Sequence, residues 1–60
     1  MTDIRKIITA ELKEYATNRS DENMGYAMGI ITGAYYSQAI TTDEYAKYMD
    51  EVAKIIKGVV

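Results

Sequence analysis

"NMGYAMGIITGAYYSQAITT", residues 23–42, holds no charged residue, although 27% of the chain's residues are Asp, Glu, Lys or Arg. Gly25, Gly29 and Gly33 recur inside it at every fourth position. Its Tyr, Ile and Thr content would suit a strand. No period-two alternation is present, however, and a lone strand would have nothing to pair with. A helix over residues 21–39 is therefore expected, about 28 Å long at 1.5 Å per residue.

The flanks decide what that rod packs against. Downstream, "ITTDEYAKYMDEVAKIIKGVV" opens with Thr41 three residues before Glu44, the spacing of a capping box. Ile40 and Tyr45 occupy the flanking positions of a hydrophobic staple on the same cap. A helix over residues 42–57 follows, with Tyr45, Tyr48, Val52, Ile55 and Val59 as its apolar stripe and Met49 and Ile56 widening it. Asp43/Lys47, Lys47/Glu51 and Asp50/Lys54 are opposite charges four residues apart, and Gly58 is placed to end the helix. Upstream, a helix over residues 3–17 carries Ile4, Ile7, Ile8, Leu12 and Tyr15 on one side, with Thr2 as candidate N-cap. The polar break "TNRSDEN" separates it from the middle helix, which Ser20 can cap with Asp21 and Glu22 in its first turn. Three helices with short connections give an all-α, antiparallel three-helix bundle in one domain over residues 1–60.

Sixty residues bury only about 60% of the surface that the unfolded chain exposes, so a fold of this size needs a staple. Cysteine and histidine are absent, which removes disulfides and the usual zinc ligands and leaves packing and self-association. No cofactor or metal site is expected. The serines, Ser20 and Ser37, have no histidine to activate them, and the glycines lack the GK[ST] ending of a phosphate loop. The chain reads as non-catalytic.

A membrane span is disfavoured, because mean hydropathy over residues 24–42 is only about 0.6, well below that of spanning helices. Nothing resembles a signal peptide, so a cytoplasmic protein is expected. The seven basic residues are scattered among nine acidic ones, with a net charge of -2. A nucleic-acid-associated regulator, contacting phosphate through Arg5, Lys6 and Arg19, is the second-ranked function, and a membrane-associated helical protein the third.

The leading function follows from the uncharged rod. Each glycine costs about 1 kcal/mol relative to alanine inside a helix. Gly25, Gly29 and Gly33, with Tyr36, are expected to mark a line of close helix approach, within the chain or across a homodimer, with glycines merely tolerated in the helix as the third reading. Tyr26, Tyr35 and Met28 are the candidate partner-facing residues, and at least one of Tyr35 and Tyr36 must face a partner or solvent. No side of the rod is obviously meant for water, so it is expected to be covered by protein all round. The segment "GAYYSQAITTDEYAKYM" resembles a helix-to-helix connection common in small bacterial and phage proteins. In length, acidity and lack of cysteine the chain is similar to phage-encoded or accessory proteins that act by binding a larger host protein. That resemblance implies binding to a larger partner; together with the self-association expected from Gly25, Gly29, Gly33 and the Tyr35/Tyr36 pair, it gives a homodimeric interaction module that modulates or inhibits such a partner.

Overall fold

In the computed structural model, which describes residues 3–58, three helices form a small bundle: α1 (Ile4–Thr17), α2 (Asp21–Tyr36) and α3 (Thr42–Lys57). Its principal extents are 29 × 22 × 15 Å. Arg5 reaches Glu44 at one end of the bundle and Arg19 reaches the Ile55 carbonyl at the other, so α1 and α3 run parallel and α2 antiparallel to both.

Each helix start follows its capping chemistry. Thr41 Oγ1 accepts from the Glu44 backbone N–H at 3.1 Å, and Glu44 Oε1 accepts from the Thr41 N–H at 2.9 Å, closing the expected capping box. Ser20 Oγ accepts from the Asn23 N–H, which fixes the start of α2. At α1 the cap is Asp3, whose carboxylate accepts from the Arg5 N–H at 3.0 Å; Thr2, the expected cap, lies outside the described residues. Asp3 wins because its extended backbone places a charged acceptor within reach of the first free N–H groups.

The middle helix stops three residues short of its expected end at 39. Gln38 takes a left-handed conformation (φ 64°), and the helix closes on itself. Ala39 N–H donates to the Ala34 carbonyl at 2.8 Å and Gln38 N–H to the Tyr35 carbonyl at 3.0 Å, the two bonds of a Schellman motif. Glycine normally marks that position, and glutamine hid it. Gly58 ends α3 as expected, with φ 76°.

Ile8, Leu12 and Tyr15 of α1, Ala27, Ile31 and Ala34 of α2, and Val52 and Ile55 of α3 are buried together, with the staple residue Ile40. Tyr45, Tyr48 and Met49 pack half-buried against them. Two residues expected in the core are not there: Ile7 is 38% exposed and Ile56 56% exposed. Both lie on the edges of their helices' apolar stripes, beyond the reach of two neighbouring helices. Val59 falls outside the described residues. Of the three i,i+4 ion pairs expected on α3, Lys54–Asp50 is formed, at 3.2 Å. Lys47 comes within ion-pair distance of neither Asp43 nor Glu51 among the described residues.

Candidate functional site

α2 buries Ala27, Ile31 and Ala34, positions separated by four and three residues and hence on one side of the helix. The opposite side therefore carries Gly25, Gly29, Gly33 and Tyr36, and all are exposed. Tyr36 is 78% and the neighbouring Tyr26 63% exposed, the two most open large apolar side chains among the described residues. A Cβ added to Gly25, Gly29 or Gly33 would meet nothing within 4 Å. The expectation that the rod is wrapped on every side fails within the subunit. Two companion helices cover one side of a third, and the glycine line is on the other. Close approach within the chain, one of its three expected readings, is thereby removed.

Tyr36 joins the glycines on this open face. Tyr26 stands at its edge. Tyr35 does not belong to it: its ring stacks on Tyr45 at a centroid distance of 4.5 Å, and its hydroxyl lies 3.4 Å from Thr42 Oγ1. Met28 is half-buried and packs against the core. Tyr35 thus fastens α2 to α3, and Met28 packs against the core; of the three candidate partner-facing residues, Tyr26 is the one left largely open. The requirement that one of the paired tyrosines face outward is met by Tyr36, whose ring centroid is 5.7 Å from that of Tyr35.

The open face continues onto α3. Glu44 and Ile55, which receive Arg5 and Arg19, mark the edge of α3 beside α1, and Thr42 and Tyr45, which meet Tyr35, mark the edge beside α2. From Thr42 the steps four, three, four, three lead through Ala46, Met49, Ala53 and Ile56, all uncharged. Ala46 and Ile56 are exposed, and Met49 and Ala53 half-buried. This second stripe was missed because it lies beside the core stripe and reads as its margin. The confinement of Asp43, Lys47, Asp50 and Lys54 to another strip of α3 is the signal that separates the two. The α2–α3 face is therefore a charge-poor surface two helices wide.

The basic residues do not converge. The Arg5 Nη2 donates to Glu44 Oε1 at 2.9 Å while its Nε donates to Oε2, a two-pronged pair. That hydrogen-bonded pairing, together with the Thr41 N–H, holds the Glu44 carboxyl down to about 2, and it raises the Arg5 guanidinium above its ordinary value. Arg19 sits at the far end of the bundle, where its Nη1 donates to the Ile55 carbonyl at 3.4 Å and offsets the negative end of α3. Lys6 and Lys13 remain on the outer side of α1, beside Thr9 and Ala10. Arg5, Lys6 and Arg19 form no single phosphate-binding patch.

Among the described residues no helix is long and apolar enough to cross a membrane. No protein-family model matches the sequence, and no curated protein or solved structure is significantly similar to it.

Proposed function

We propose that this chain is a non-catalytic interaction module that pairs with a second copy of itself through the open face of α2, and that the pair modulates a larger protein by occupying its surface. One observation carries the self-association: a helix face with Tyr26 and Tyr36 largely exposed and a glycine line with open space above it, in a segment free of charge. Tyrosine combines large apolar area with a hydroxyl that tolerates a wet rim, which suits it to interfaces. Bare backbone allows a facing helix closer than the usual 8–10 Å. A soluble subunit with such a surface gains by covering it.

The modulatory role rests on the likeness in size and composition to small accessory proteins. Sedimentation equilibrium across the micromolar range tests the pairing. A mass near twice 6.8 kDa is expected, falling on dilution. A subunit that stays at 6.8 kDa at every concentration overturns it.

A further inference from the structure

The glycine line does not fix how two copies meet; the charges that border the α2–α3 face do. We infer that two copies pack α2 and α3 antiparallel against α2 and α3 of the partner across one two-fold axis, giving a four-helix unit with α1 on its outer flanks. This inference rests on the self-association proposed above and adds its geometry.

Three pairs of positions are arranged symmetrically along the two helices. Tyr36 and Gly25 lie about three turns apart on the same strip of α2, equidistant from the level between Ile30 and Ile31. Ala46 and Ala53 are equidistant from the level between Met49 and Asp50 on α3, and Asp43 and Lys57 from Asp50 itself. The Tyr35–Tyr45 stack brings these levels near one another, to within the reach of a tyrosine side chain, because Tyr35 is as far along α2 from the first as Tyr45 is along α3 from the second. A single dyad near those levels seats each exposed Tyr36 over the bare Gly25 of the other copy and lays Ala46 against Ala53. It also brings Asp43 to Lys57 twice, reciprocally.

Asp43 and Lys57 are exposed, and neither makes an ion pair among the described residues. Asp50 would meet its own copy near the axis, but each already carries Lys54 at 3.2 Å. A dyad along the helices would instead lay α3 on the partner's α2 and keep Asp43 and Lys57 at opposite ends of the dimer. The area is sufficient in principle: an ordinary interface takes about 800 Å² from each partner, about a fifth of the 4300 Å² exposed here, and two of three helices contribute.

The chain has no cysteine, so engineered thiols report cleanly. Full-length Ala46→Cys protein is mixed with size-tagged Ala53→Cys protein under mild oxidation, and Ala46→Cys is oxidised alone. Mixed 46–53 disulfides are expected, because only directly facing positions fall within bridging distance, and 46–46 disulfides are not. Separately, Asp43→Lys or Lys57→Asp should weaken dimerisation by about tenfold or more, and the double exchange should return it to within about threefold of the parent. A monomer at all concentrations defeats both this geometry and the self-association. A dimer that bridges 46 to 46, or one that forms no 46–53 bridge and ignores the charge reversals, overturns the geometry and leaves self-association standing.

Discussion

Replacing Gly25, Gly29 and Gly33 together by alanine should make the isolated subunit more stable. In a helix interior each glycine-to-alanine change gains about 0.8–1.0 kcal/mol, from the smaller backbone entropy lost on folding. That gain is realised only if the new methyl has room. Here each Cβ would meet nothing within 4 Å, so no steric term opposes it. The three methyls touch no common partner, and their effects should add to about 2–3 kcal/mol. For a domain of this size 1 kcal/mol moves the melting temperature by about 4–8 °C, giving a rise of about 10–20 °C. The assay is thermal and urea denaturation followed by circular dichroism, at concentrations where sedimentation finds only monomer, since association would otherwise add its own stabilisation. The same variant should associate more weakly, because three methyls now hold the partner's backbone away. Lower stability of the dilute variant would refute the reasoning, since it would mean that something within the folded subunit lies over the glycines.

Further outcomes follow from the helix ends and the Arg5 pair. The Glu44 carboxyl is lowered from 4.5 to about 2 in the folded chain, so its contribution to stability is fully present above about 4.5 and is lost as the pH falls towards 2. The urea midpoint should fall across that window, and Glu44→Gln should flatten that part of the decline; an unchanged slope in the variant would show the pair to be inert. The raised Arg5 guanidinium adds no pH dependence below 12, because its contribution persists below its unfolded value. Gln38→Gly relieves a left-handed glutamine and should stabilise the chain by about 0.5–1 kcal/mol in chemical denaturation, the relief of backbone strain exceeding glycine's extra unfolded-state entropy. Gly58→Ala runs the other way: at φ 76° it should cost about 1 kcal/mol, with the Arg19 guanidinium, 3.1 Å from the new methyl, free to swing aside.

α3 was the most legible element, since a capping box, a staple and a terminal glycine are local chemistry and act wherever the rest of the chain lies. Its boundaries are those expected, residues 42–57. The end of α2 was hidden because the left-handed position that closes it holds glutamine, whose usual preference is to continue a helix. The environment of α2 was harder still. Absence of charge shows that a helix avoids ion pairs, but whether a face is covered depends on how many neighbours reach it, and two cannot enclose a third. The same limit applies to Ile7 and Ile56, which pattern alone places in the core and which the bundle leaves at its rim. Tyr35 and Tyr36, adjacent in sequence, were separable only by geometry: one stacks on Tyr45, and the other points away from it.

α2 is also the hub of the bundle, packed antiparallel against both other helices, which touch each other less than either touches α2. Its outward turns have hydrogen where other helices have methyls, so water reaches their carbonyls unhindered. Amide protons there should trade with deuterium sooner than those along the buried strip of α3. Whatever comes to rest on that unshielded side should quieten the segment against which both outer helices pack, and slow exchange beyond α2 itself.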